Sequence, residues 1–142
     1  RLVPTIRGLF MEKRIMNNIL VVDDSRTLRK MVIASLGSLK DTVFHEAASG
    51  LEAIEQLALH PIHLMTLDLN MPDMHGMEVL QFLQTHGRYR QIPVVVLTTK
   101  GDPQSREAAL QAGAAAYLTK PFQPAVLVKE VANLLAGERS PS

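Results

Sequence analysis

Five short apolar runs alternate with five amphipathic segments along this chain, and that alternation most constrains the fold. The runs cover residues 19–22, 42–47, 62–68, 93–98 and 116–119. The first, third and fourth runs are the richest in Val, Ile and Leu. Runs of this length bounded by turn residues are typical of strands buried on both faces. Strands that alternate with helices predict an α/β fold, a three-layer doubly wound parallel sheet, and right-handed crossovers leave few topologies.

The helices are predicted from apolar residues at helical spacing and from end signals. Ser25 and Ser49 suit N-caps, and Gly113 suits a helix end. The apolar faces are predicted to be Leu28, Met31, Val32, Leu36 and Leu39; then Leu51, Ile54 and Ala58; then Val79, Leu80 and Leu83 within 77–86; and last Val126, Leu127, Val131, Leu134 and Leu135. An Ala-rich helix near 104–112 has few large apolar anchors.

Polar residues stand where the strands end. Strand one ends at Asp23 and Asp24, strand three at Asp68, strand four at Thr98 and strand five at Lys120. In open α/β sheets the ligand site lies beyond the carboxyl ends of the strands, where the winding direction switches. With the spatial order 2-1-3-4-5, strands one and three are neighbours at that switch, so these side chains would meet in one crevice.

Three carboxylates in one crevice repel one another, by about 4 kcal/mol for each pair at 4 Å in a medium of dielectric near 20. A hard divalent cation removes that cost, and oxygen ligands suit Mg²⁺. A metal beside a carboxylate nucleophile, with Lys120 and Thr98 aimed at the same point, favours phosphoryl transfer to Asp68. Taken alone, Asp23 and Asp24 could equally cap the first helix.

Composition excludes several other classes of protein. The 142 residues, 46% of them hydrophobic, suit one domain with a single core, and a formal charge of +1 gives no reason to expect nucleic acid as a partner. Without cysteine there is no disulfide, and no apolar run approaches the roughly 20 residues of a membrane span. Residues 1–16 are predicted to be a vector-derived or short native tail, 17–137 the domain, and 138–142 a polar tail.

The motifs together resemble the receiver domains of bacterial two-component response regulators, especially the single-domain, chemotaxis (CheY-like) type. The resemblance rests on residues 20–25 (LVVDDS), 67–76 (LDLNMPDMHG), 96–98 (VLT) and 120–122 (KPF), and extends from about 17 to 136. It implies the flavodoxin-like order 2-1-3-4-5 and a phosphoacceptor signalling domain rather than an enzyme.

The resemblance also implies a role for each matching position. Asp68 would be the phosphoacceptor, Asp23, Asp24, Asp68 and the Asn70 backbone carbonyl would hold Mg²⁺, Thr98 would bond a phosphoryl oxygen, Lys120 would pair with the phosphoryl group in a cis Lys120–Pro121 turn, and Tyr117 would follow Thr98 as a switch. Thr99 departs from the commonest pattern, where a smaller residue is frequent, and could narrow access to the phosphoryl group. Asn70 and Lys100, at the mouth of the site, would tune the phosphoryl lifetime.

The implied partners are a histidine kinase or phosphotransfer protein, small phosphodonors such as acetyl phosphate, and a downstream protein bound through the fourth helix, fifth strand and fifth helix. Neither direct nucleic-acid binding nor membrane insertion is expected, and the cytoplasm is the expected location. Two alternatives keep the fold: a phosphorelay intermediate, or a receiver fragment of a longer regulator. An acid phosphatase with an Asp nucleophile is disfavoured because Asn70 stands where such enzymes have their general acid.

Overall fold

The computed structural model describes residues 15–71 and 74–137, so the predicted tails lie almost wholly outside the described residues. The strands are β1 (Asn17–Val22), β2 (Thr42–Ala47), β3 (Leu64–Leu67), β4 (Val94–Thr98) and β5 (Ala116–Thr119). The helices are α1 (Arg26–Ser35), α2 (Gly50–Leu59), α3 (Gly76–Thr85), α4 (Pro103–Gln111) and α5 (Pro124–Leu135). None of these helices is long and apolar enough to cross a bilayer.

The five strands are all parallel and lie in the order β2-β1-β3-β4-β5, which confirms the predicted fold class and topology. Every residue of β3 and β4 is buried, as expected for strands covered on both faces. β3 is shorter than the predicted run: Ile62 and His63 precede it, and Asp68 follows its last residue.

The sheet separates two apolar clusters. One side is built on α2, α3 and α4 with Leu20, Met65 and Val96 of the sheet. The other side is built on α1 and α5 with Ile19, Leu64 and Val95. Successive residues of each strand point to opposite sides, and the two clusters alternate accordingly along β1, β3 and β4.

The predicted face of α2 is wrong. Leu51 is 60% exposed and Ala58 is exposed, whereas the helix buries Gly50, Ala53 and Leu57. A Cβ placed on Gly50 would lie 2.5 Å from the Cβ of Met74, so the chain packs too closely there for a larger residue. The small residues Gly50 and Ala53 allow that close approach, and the helix orientation that buries them leaves the larger Leu51 exposed.

Two other apolar residues assigned to buried faces are also exposed. Met31 of α1 is 50% exposed, and Val126 of α5 is 40% exposed. The residues that α1 and α5 bury were all predicted to be buried, namely Val32, Leu127, Val131 and Leu134. α3 buries Val79, Leu80 and Leu83 as predicted.

Candidate functional site

The central carboxylates are positioned by backbone hydrogen bonds that continue the sheet beyond its last paired residues. Val22 of β1 lies opposite Leu67 of β3, so the residues that follow them, Asp23 and Asp68, emerge side by side. The Asp68 amide donates to the Val22 carbonyl at 3.0 Å, and the Asp23 amide donates to Ala47 at 3.0 Å. These bonds fix both backbones at the carboxyl edge of the sheet.

Asp23, Asp24 and Asp68 form one acidic cluster. One carboxylate oxygen from each lies within 4.8 Å of the others. Asp23 is 4% exposed and Asp68 is 5% exposed, whereas Asp24 faces solvent. The cluster therefore has a buried floor made by two carboxylates and an open side at the third.

Lys120 enters the cluster from the end of β5. Its amide donates to the Thr98 carbonyl at 2.8 Å, which extends the β4–β5 pairing by one residue. Its ammonium lies 2.6 Å from Asp23 Oδ2 and 3.4 Å from Asp68 Oδ2, and the side chain is only 12% exposed. The Lys120–Pro121 peptide is cis, as the resemblance implied. One cation thus offsets two buried anions.

The environment of Asp68 acts on its ionisation in two directions. Burial is the largest influence and raises the pKa of Asp68, and the negative charge of Asp23 raises it further. The amide of Asn70, which donates to Asp68 Oδ1 at 3.1 Å, the Lys120 charge and the Thr98 hydroxyl lower it, and the net shift is upward. Burial of the Asp68 carboxylate accounts for that direction of the pKa, and the neighbouring anion adds to it.

Thr98 and Tyr117 are linked through the backbone of Lys100. The Thr98 hydroxyl is fully buried and accepts from the Lys100 amide at 3.5 Å. The Tyr117 hydroxyl donates to the Lys100 carbonyl, and its ring packs in the apolar cluster on the α2, α3 and α4 side. Burial raises the pKa of Tyr117, and the nearby charge of Asp102 adds to the effect. The β4–α4 loop is therefore held by both hydroxyls.

Asn70 and Thr99 form the outer rim of the site. The Asn70 side-chain nitrogen Nδ2 donates to Thr99 Oγ1 at 3.4 Å, and both residues are exposed. This contact joins the loop after β3 to the loop after β4 across the front of Asp68.

The structure brings Asp23, Asp24, Asp68, Thr98 and Lys120 to one crevice, while Tyr117 lies behind it. Sequence reasoning missed Arg29, whose guanidinium donates to the Asp23 carbonyl at 2.7 Å and pairs with Glu46 at 2.8 Å. It also missed the Asn70–Thr99 contact. Nothing in the spacing of these residues signals either contact, because each joins separate elements that only the folded sheet brings together.

Comparison with known proteins agrees with this geometry. Residues 19–132 match the response regulator receiver domain family. This chain belongs to that family. The receiver domain is 37% identical over 120 residues to the chemotaxis protein CheY1 of Helicobacter pylori, covering 84% of this chain and 96% of that protein.

A longer regulatory protein and a solved structure are also similar to this chain. The receiver is 35% identical over 124 residues to the transcriptional regulatory protein SrrA of Staphylococcus aureus, which covers 87% of this chain and 50% of that protein. It also resembles the structure of the chemotaxis response regulator CheY4 of Vibrio cholerae, with a TM-score of 0.77 and 31% identity over 84% of this chain and 99% of that one. The domain is therefore a CheY-like receiver of a two-component signal transduction system.

The donor set of the receiver suits a hard cation. The cluster offers only oxygen atoms, and Mg²⁺ prefers one or two carboxylates together with water and phosphate oxygens. The open side at Asp24 leaves room for ligands that do not come from the protein. Within residues 15–71 and 74–137, Lys120 is the cation that forms ion pairs with these carboxylates, and it contacts two of the three.

Proposed function

We propose that Asp68 accepts a phosphoryl group and that the modified domain presents an altered protein-binding surface. The observation that carries this proposal is the position of Asp68: a buried carboxylate beside two further carboxylates and 3.4 Å from a buried ammonium. Two buried carboxylates that share one ammonium are only partly compensated, so their burial costs stability. The neighbours of Asp68 are the groups that phosphoryl transfer needs.

In the proposed step, a carboxylate oxygen of Asp68 attacks phosphorus and forms an acyl phosphate. The bond from phosphorus to the donor breaks, and its electron pair leaves with the donor atom, an imidazole nitrogen for a phosphohistidine. The Lys120 ammonium, now between Asp23 and Asp68, pairs with a phosphoryl oxygen. The Asn70 amide fixes the orientation of the Asp68 carboxylate through Oδ1.

Asp23, Asp24 and Asp68, with the Asn70 backbone carbonyl, would hold Mg²⁺. The bound ion would supply positive charge opposite the phosphoryl oxygens, which the acidic cluster alone would repel. Asp23 accepts the Ser25 amide at 2.9 Å through Oδ1 and contacts Lys120 through Oδ2. Asp23 is thus held in place by the protein, whereas Asp24 is exposed and free to turn toward a ligand.

The phosphoryl donor in this proposal is a histidine kinase or a histidine phosphotransfer protein. Receiver domains as a family act with such proteins, and small phosphodonors such as acetyl phosphate can serve in their place. The open side of the crevice, between Asp24 and the rim at Asn70 and Thr99, is the route by which either donor would reach Asp68.

Thr98 and Tyr117 would transmit the phosphoryl signal. If the Thr98 hydroxyl turns to a phosphoryl oxygen, it gives up the Lys100 amide, and the loop that also holds Tyr117 must adjust. That loop leads into α4, which buries a single residue, Ala109. A weakly anchored helix moves at low cost, so the surface made by α4, β5 and α5 is the proposed site for a downstream protein.

Backbone amide shifts with and without beryllofluoride test the transmission. Changes that extend from the crevice through Lys100 to α4 and α5 support it, and Tyr117→Phe should reduce those distal changes. Changes limited to the residues around Asp68 would reject a switched surface.

Asn70, Thr99 and Lys100 are proposed to set how long the phosphoryl group persists. The Asn70–Thr99 contact covers the front of Asp68, so removing either side chain would admit water more readily. Dephosphorylation rates of Asn70→Ala, Thr99→Ala and Lys100→Ala measure this, with Gln104→Ala, exposed on α4, as the control. Rates equal to that of the control in all three would reject the role.

Intact-mass spectrometry tests the central function. Incubation with acetyl phosphate and Mg²⁺ should add one phosphoryl group to the wild-type domain and none to Asp68→Asn. Asp102→Asn is the matched control, because it makes the same chemical change at an exposed N-cap where Asn also serves. Equal phosphorylation of wild type and Asp68→Asn would refute the proposal.

A further inference from the structure

Three histidines meet at the edge of the sheet opposite the acidic cluster. His45 lies in β2, His60 is the C-cap residue of α2, and His63 lies just before β3. Asn18, the second residue of β1, bonds two of them. Four elements of the fold, β1, β2, α2 and β3, are therefore joined at this point. The proposed phosphorylation chemistry uses none of these side chains.

His63 contributes a bond that exists only when its ring is neutral. The Asn18 amide donates to His63 Nδ1 at 2.9 Å, so Nδ1 must carry a lone pair. In return the His63 amide donates to the Asn18 carbonyl at 2.8 Å. A proton on Nδ1 would place two donors face to face and break the first of these bonds.

His45 is held by a bond and a ring stack. The Asn18 side chain donates through Nδ2 to the Met16 carbonyl at 3.4 Å, which leaves Oδ1 to accept from His45 Nε2 at 2.9 Å. The His45 ring stacks on His60, with centroids 4.0 Å apart and planes inclined by 24°. Burial, then the charge of His60, lower the pKa of His45.

Neither β1 nor the last turn of α2, which face the His45–His60 stack, carries an acidic residue. On the same face of the sheet, β1 presents the neutral Asn18, and α2 presents His60 beside its C-terminal carbonyls. A charge on His60 opposes a proton on the His45 ring. Glu46 points to the other face of β2, where it pairs with Arg29 and Lys30 of α1.

A second histidine stack in the same domain makes contacts that remain compatible with a protonated ring. His86 stacks on Phe82 with centroids 3.9 Å apart, and its Nδ1 lies 2.7 Å from the Phe82 carbonyl. A carbonyl only accepts, so this nitrogen is the donor and stays one when the ring gains a proton. A cation over an aromatic face is also favourable. His86 therefore serves as an internal control.

We propose that Asn18, His45, His60 and His63 form a proton-sensitive clasp that closes the β1, β2, α2 and β3 corner when the rings are neutral and loosens it on acidification. Because the folded state lowers the affinity of His45 for a proton, the clasp contributes full stability above the unfolded imidazole value of about 6.5. The contribution is lost as the pH falls from that value through the lower folded-state value. Each unit of difference changes the folded-to-unfolded ratio by about tenfold.

Nuclear magnetic resonance of the wild-type domain tests the clasp directly. The His45 ring should titrate below about pH 6.5. Acidification should also move the Asn18 amide resonance, because a proton on His63 Nδ1 would break the bond that this amide donates. Hydrogen-exchange protection of β2 should fall over the same range. An Asn18 amide resonance that stays fixed on acidification, or a His45 ring that titrates at the unperturbed value, would overturn the proposal.

Paired variants separate the clasp from general acid sensitivity. His60→Phe keeps a ring on His45 but carries no charge, and His86→Phe makes the same change at the other stack. Between about pH 7.5 and pH 5.5, the loss of thermal midpoint should be smaller in His60→Phe than in wild type and not smaller in His86→Phe. If the acid-induced loss of thermal midpoint is reduced by the same amount in His60→Phe and His86→Phe, the proposal is overturned. If His60→Phe fails to fold, the wild-type titration decides.

Discussion

Neutralising Asp24 should stabilise the metal-free domain and at the same time remove its response to Mg²⁺. One carboxylate oxygen from each of Asp23, Asp24 and Asp68 lies within 4.8 Å of the other two, so Asp24→Asn removes two like-charge contacts. Asp24 is exposed, so the water limit applies, and each contact at that distance costs about 0.9 kcal/mol. The N-terminus of α1 favours the lost charge by about 0.3–1 kcal/mol.

The net expectation is a gain of about 1 kcal/mol without metal, or about 4 °C in thermal midpoint for a domain of this size. In wild type, Mg²⁺ at about ten times its dissociation constant should add about 1.4 kcal/mol, and that addition should largely vanish in Asp24→Asn. The two effects have opposite sign, so no general change in stability reproduces them.

Thermal unfolding in chelator and in Mg²⁺ measures both quantities. Glu55→Gln is the control, because it removes one exposed carboxylate from the middle of α2 and should change neither value appreciably. An Asp24→Asn domain that is less stable than wild type in chelator, or that gains as much from Mg²⁺ as wild type, would refute the argument.

Three further outcomes are expected. Gly76→Ala should destabilise the fold by more than about 2 kcal/mol in urea unfolding, since its Cβ would lie 2.6 Å from backbone atoms after β3, whereas Gly87→Ala, with open space around it, should be nearly neutral. Tyr117→Phe should cost about 1 kcal/mol through the lost bond to the Lys100 carbonyl and leave phosphorylation by acetyl phosphate unchanged. Hydrogen bonds from Lys30 and Arg29 on α1 lower the pKa of Glu46. The contribution of Glu46 to stability is therefore present above its unfolded-state pKa and is lost as the pH falls through its folded-state pKa. In acid unfolding, the stability of Glu46→Gln should depend less steeply on pH than that of wild type below about pH 4.5.

The strands and the crevice could be predicted because both follow from local sequence. The run that ends at Asp68 is buried on both sides, and a parallel sheet collects the ends of its strands at one edge. Asp23, Thr98 and Lys120 therefore needed only the right strand order to meet Asp68.

The phase of α2 could not be predicted in this way. Leu51 and Ala58 share one helical face, and Ala53 and Leu57 share another. Each pair consists of one Leu and one Ala, so hydrophobicity alone does not decide which face is buried. The close approach of Gly50 to Met74 decides between them, and that contact is between two separate segments. The bridge from Arg29 to Asp23 and Glu46 depends likewise on the packing of α1 beside β2.

Borohydride reduction after treatment with acetyl phosphate and Mg²⁺ tests the central claim most directly. Hydride converts an aspartyl phosphate to homoserine, so peptide mapping by mass spectrometry reads out which carboxyl group carried phosphate. The account predicts homoserine at position 68 and unmodified Asp23, Asp24 and Asp102. Homoserine at any of those other positions, with Asp68 intact, would contradict it.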